Sequence, residues 1–238
     1  MKLNFTKGMK DGIPIALGYL SVSFGFGILA ASLGLTVLQA VGISASNLTS
    51  AGQVAGVGII AAGGTLIEMV LTQLVINIRY SLMAISLSQK LDDSFTTPHR
   101  MAVAFGITDE IFAVASAQKG KINPRYMYGL IAVSAVGWTL GTFLGASAGQ
   151  ILPEALNDAM GIVLYGMFVA IVIPPARAHK GVLAVAAVAV GCSVLFYYVF
   201  TAVSSGFAII ICAVIAAVVG AILFPVEDEE EEEGGGQP

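Results

Sequence analysis

Long apolar stretches alternate with short polar breaks along this chain, and each stretch approaches the roughly 20 mostly apolar residues that a bilayer-crossing helix requires. Eight such segments can be drawn, at about 13–35, 36–62, 65–88, 100–117, 124–150, 158–175, 181–200 and 205–224. The second is interrupted, because Ser44-Ala45-Ser46-Asn47-Leu48-Thr49-Ser50 is small and polar without formal charge. Irregular backbone is tolerated at membrane depth only where protein or a wet cavity encloses it. The pattern therefore predicts a broken helix near residues 44–53, with Ser50 as N-cap of a half-helix over residues 51–62. The competing reading is an external loop between two short helices. The fold class is all-α, a polytopic membrane helix bundle of seven or eight spans, seven if the broken element re-enters without crossing. Residues 1–12 form an N-terminal cytoplasmic segment, 13–225 a single transmembrane domain and 226–238 a tail.

Composition strengthens this picture: 57% of residues are hydrophobic and only 11% charged, against about 25% charged in soluble domains. The net charge of -4 comes from the acidic run at 227–233, which reads as a solvated, disordered tail. Cys192 and Cys212 lie in apolar segments without metal-type spacing and read as small core residues. The first apolar stretch is too long for a signal-peptide core and lacks an evident cleavage site, so it reads as a retained span.

Lysine and arginine collect on the cytoplasmic side of short loops. Lys119, Lys121 and Arg125 mark one such loop, and Arg177, His179 and Lys180 another. With Lys2, Lys7 and Lys10 also inside, four crossings fit before Lys119, both termini are cytoplasmic, and the mixed-charge loop carrying Lys90, Asp92, Asp93 and Arg100 falls outside. The resulting location is a multi-pass protein of the cytoplasmic membrane.

Ionisable groups at membrane depth cost about 2.5–3.5 kcal/mol on insertion scales and are candidates for function. Glu68, Arg79, Asp109 and Glu110 are such groups. On an ideal helix Glu68 and Arg79 lie about 20° apart in angle and roughly 16 Å apart along the axis, so they cannot pair. Gln73 and Asn77 form a second polar stripe, which places the third span at the bundle centre. Asp109 and Glu110 fall midway along the fourth. These elements can converge on one cavity suited to an amino acid zwitterion. Arg79, or the amide-rich helix start from Ser50 to Gln53, suits its carboxylate, and Asp109, Glu110 or Asn77 its ammonium. Carboxyls in such a site exchange protons as neighbouring charge changes, so Asp109, Glu110 and Glu68 are the candidate proton-coupling groups. The alternative is a structural ion pair between Arg79 and one of the acids. No metal-spaced His/Cys cluster, phosphate-cradling glycine loop or nucleophile elbow supports an enzyme, no cofactor is implied, and no basic patch supports nucleic-acid binding.

The chain resembles the AzlC family, the large subunit of two-component branched-chain amino acid exporters, over about residues 12–168. The likeness rests on Ser44 with Leu48-Thr49-Ser50-Ala51-Gly52-Gln53, on Asn77-Ile78-Arg79, on Asp109-Glu110-Ile111-Phe112, and on Trp138 with Gly137, Gly141 and Gly145. Tyr80 stands where the family usually has histidine, and Leu48-Thr49-Ser50 replaces its usual Phe-Ala-Gly. The resemblance implies proton-driven export of branched-chain or similar small neutral amino acids, with a small membrane partner of the AzlD type. Substrate contacts are then expected from Ser50, Gln53, Asn77, Arg79, Asp109 and Trp138. A homo-oligomer or larger hetero-oligomer is compatible with it. The alternatives are a channel or transporter for another small solute, and an assembly subunit without transport.

Overall fold

The computed structural model describes residues 3–149, 169 and 172–224. The acidic tail, the loop at Pro153-Glu154 and most of the predicted span at 158–175 lie outside the described residues. The chain divides into two compact units, residues 1–169 and 170–238. The described elements are all helical, and five helices are long and apolar enough to cross a membrane.

The first unit begins with α1 (Phe5–Ser32). It starts eight residues before the apolar stretch because Asn4 caps it, its side chain accepting from the Lys7 amide at 2.8 Å, and Lys7 then pairs with Asp11 one turn on. It ends at Gly34, whose φ of 86° supplies the left-handed turn. Next come α2 (Val37–Ser46) and α3 (Ser50–Ala61), separated by Asn47-Leu48-Thr49, which confirms the predicted break. A turn through Gly63 leads to α4 (Leu66–Ser88). The predicted fourth span is also broken, into α5 (Thr97–Phe105) and α6 (Asp109–Ser116). Asp109 and Glu110 therefore open a half-helix and do not sit midway along a continuous one. α7 (Pro124–Gly149) follows.

Packing fixes the directions of these helices. α1 and α7 run parallel: Gly8 abuts Tyr126, Gly137 abuts Ala16, Gly141 abuts Leu20 and Gly145 abuts Phe24. Small residues at helical spacing let two backbones touch, which drives association in lipid where apolar burial gives little. α3 runs antiparallel to α4, since Gln73 donates to the Gly52 carbonyl while Thr49 reaches Asn77, the central residue of α4.

The loop after α4 then returns to the face that carries the N terminus. Asp92 and Ile122 exchange backbone hydrogen bonds with Ile122 and Lys90, the Lys90 ammonium bonds the carbonyls of Ser116 and Gln118, and Asn123 donates to the Leu3 carbonyl. Residues 3, 90–92 and 116–123 thus share one face. It follows that neither broken element crosses. The α2–α3 pair enters and leaves by the face where α1 ends, with Ala40 and Val57 packed together against Phe26, Ala30 and Ala146. The α5–α6 pair enters and leaves by the opposite face. This corrects the scheme of four crossings before Lys119: there are two, and the loop carrying Lys90 lies on the same side as Lys119. The sequence α1–α2–α3, a crossing followed by a re-entrant hairpin, recurs upside down as α4–α5–α6. Such inverted repeats are common in membrane transporters.

In the second unit α8 (Lys180–Tyr198) and α9 (Ser205–Leu223) form an antiparallel pair, with Gly220 against Val185 and Gly181 against Phe224.

Candidate functional site

The two hairpin tips, residues 47–49 and 106–108, meet beside the middle of α4. Thr49, and not Ser50, is the N-cap residue of α3, but its hydroxyl donates to Asn77 Oδ1 at 2.8 Å instead of capping the helix. The first turn of α3 holds no acidic residue, so its leading amides carry the positive end of the helix dipole without a side-chain cap. α6 is the converse. Thr108 caps it, accepting from the Ile111 amide at 3.3 Å, and Asp109 and Glu110 place carboxylates in its first turn. One tip thus favours an anion and the other a cation.

Arg79 spans the gap. It donates to Asp109 Oδ1 at 2.8 Å, lies 2.7 Å from Oδ2, and donates to the Tyr80 hydroxyl at 3.3 Å. Tyr80 in turn donates to Thr49 at 3.4 Å. A chain of hydrogen bonds therefore runs from one tip to the other. The side chains of Arg79 and Asp109 are 47% and 46% exposed. Asn77 completes the polar face of α4, donating to Gln73 at 3.0 Å.

The remaining candidates are placed differently. Glu110 accepts from the Tyr19 hydroxyl at 2.5 Å, and the Thr108 hydroxyl lies at the same distance from that Tyr19 oxygen. Gln53 and Trp138 meet in the interior, 1% and 2% exposed: the indole donates to Gln53 Oε1 at 3.0 Å, and Gln53 donates to Ser44 at 2.9 Å. They tie α3 to α7 and α2, with Ser44 joined to Thr142 at 2.6 Å. Glu68 is buried in the first turn of α4, its amide donating to Thr65, about 16 Å along the helix from Arg79. The structure does not bring it to the tips. α4 also departs from expectation in its packing. Leu66, Ile67, Leu74, Ile78 and Leu82 are exposed, so within this unit it lies at the rim and not at the centre.

The AzlC family model matches residues 14–152, from α1 through both hairpins and α7. The chain belongs to the AzlC family. Among its relatives are "Inner membrane protein YgaZ" of Escherichia coli (strain K12), 33% identical over 69% of this chain and 70% of that protein, and an "Uncharacterized membrane protein" of Archaeoglobus fulgidus, 32% identical over 71% and 75%. Another "Uncharacterized membrane protein", from Helicobacter pylori (strain J99), is 27% identical over 81% and 88%. No solved structure matches the chain. In this AzlC protein Asn77-Ile78-Arg79 and Asp109-Glu110, thirty residues apart, supply the two sides of a single ion-paired site. Tyr19, Thr49 and Thr108 belong to it as well. Thr108 followed by two acids is a helix-start pattern that marks the second tip. Tyr19 carries no local signal that separates it from a core aromatic.

Proposed function

We propose that this AzlC protein is a transporter subunit that exports branched-chain or similar small neutral amino acids in exchange for protons. The observation that carries this reading is the meeting of two oppositely oriented re-entrant hairpins at the centre of α4, around the half-exposed Arg79–Asp109 pair. A zwitterion needs opposite charges a few ångströms apart. Arg79 with the uncapped start of α3 at Ser50 suits the carboxylate, and Asp109 with Asn77 suits the ammonium. As solute binding competes for the Arg79–Asp109 pair, the charge on Asp109 and on neighbouring Glu110 is rebalanced, which couples proton exchange to occupancy. Gln53 and Trp138 support the first hairpin from behind.

The face carrying Lys7, Lys10, Lys90, Arg100, Lys119, Lys121 and Arg125 is cytoplasmic in this reading, because the loops at 33–36 and 62–65 on the other face carry no charge. A small membrane subunit of the AzlD type is the proposed partner, and the exposed apolar side of α4 is where it or another copy of the chain would pack. The test is counterflow of leucine and valine in proteoliposomes, with and without the small subunit, under an imposed pH gradient. Arg79→Ala and the Asp109→Asn/Glu110→Gln double variant should each reduce flux at least about tenfold, the scale of one lost charge-assisted contact. Wild-type flux in both variants contradicts the site, and flux indifferent to the pH gradient contradicts the coupling.

A further inference from the structure

Between the two tips lies a cavity of about 210 Å³ that the charged pair does not fill. Leu48 and Thr49 of the first tip line it, with Phe105 and Ile107 of the second and Asn77 and Tyr80 of α4. Liquid water occupies about 30 Å³ per molecule, so the space equals roughly seven waters. It lies below the roughly 300–1,000 Å³ typical of pockets for drug-sized ligands. Leu48 and Ile107, 7% and 8% exposed, are firmly packed walls from opposite hairpins. Tyr80 links the cavity to the ion pair, because the hydroxyl of this wall residue accepts from Arg79. Asn47, Thr49, Asn77 and Tyr80 give this wall polar groups, and Leu48, Phe105 and Ile107 give it apolar ones, so the combination is a small space of mixed lining adjoining a site for opposite charges.

We infer that this cavity is the side-chain pocket of the transported solute, and that Leu48 and Ile107 set which neutral side chains are accepted. The inference rests on the transporter reading and adds size selection to it. A neutral amino acid with its charged head at Arg79 and Asp109 places its side chain between the tips, where it touches both hairpins at once. A side chain too small leaves Leu48 and Ile107 without contact, and one too large forces the hairpins apart. In apolar pockets a single methylene changes selectivity about 10- to 200-fold, and an incompletely closed pocket with a partly polar wall falls below that range.

The test is the ratio of leucine to alanine flux, and of phenylalanine to alanine flux, in wild-type, Leu48→Phe and Ile107→Ala proteoliposomes. Each ratio is read on a single preparation, so loss of folded protein cancels. Leu48→Phe should lower the leucine-to-alanine ratio at least about threefold, and Ile107→Ala should raise the phenylalanine-to-alanine ratio by a similar factor, with Ile107→Val between it and wild type. Active protein whose ratios are unchanged in all three variants overturns the pocket while leaving the transporter reading intact. Wild-type protein that moves none of the three amino acids overturns both.

Discussion

Asp109 and Glu110 adjoin in sequence yet have different partners, Arg79 for one and Tyr19 for the other. Their positions in the first turn of α6 let two successive carboxylates point to different neighbours, with the helix dipole favouring both. Because the Arg79–Asp109 pair is about half exposed, its coupling should be modest, about 0.5–1 kcal/mol. Unfolding midpoints in detergent for Arg79→Gln, Asp109→Asn and the double variant test this, and the double should lose less than the sum of the singles. Trp138 offers a contrast, since its indole satisfies a Gln53 side chain that is almost wholly enclosed. Trp138→Phe strands that amide oxygen and should cost about 1–3 kcal/mol by the same measurement, with solute selectivity retained. Of the departures from the family pattern expected at Leu48-Thr49-Ser50 and Tyr80, Leu48, Thr49 and Tyr80 line the cavity between the tips. They are therefore placed to alter what the site accepts.

At the scale of elements, α1 and α7 form the rigid partner against which the hairpins are set. Their contact depends on the absence of side chains where Gly137 and Gly141 meet the backbones of Ala16 and Leu20. Gly141→Val should force the pair apart, costing at least the roughly 1–3 kcal/mol of an overpacked core, and should be visible as loss of monodisperse protein on size exclusion. The first hairpin was readable because residues 44–50 interrupt an apolar run with small polar groups. The second was not, because Ala104, Phe105, Gly106 and Ile107 keep the stretch apolar. Its cues are a glycine that stops one helix and Thr108 before two acids that starts the next, and an unbroken apolar average conceals them. Placing the cap at Ser50 instead of Thr49 is a one-residue error of the kind that tertiary contacts decide, here the bond from Thr49 to Asn77.

For the whole molecule, the number of apolar stretches overstates the number of crossings, since two of them turn back halfway. Hydropathy measures length in apolar residues and is blind to direction, whereas the contacts of Lys90 with Ser116 and Gln118 fix it. Once the hairpins re-enter, the described lysines and arginines of the first unit other than Arg79 fall on one face, and the mixed-charge loop no longer conflicts with the charge rule. The site depends on this topology, because only opposed hairpins bring residues 47–49 and 106–108 together. The direct test uses single cysteines at Ser94, Gln118, Leu33 and Ala62, in protein with Cys192 and Cys212 changed to alanine, exposed to a membrane-impermeant thiol reagent applied to one side of sealed vesicles. Re-entrant hairpins predict that Ser94 and Gln118 label from one side and Leu33 and Ala62, both exposed, from the other. Labelling of Ser94 together with Leu33, from the side opposite Gln118, would contradict the opposed hairpins and the site built on them.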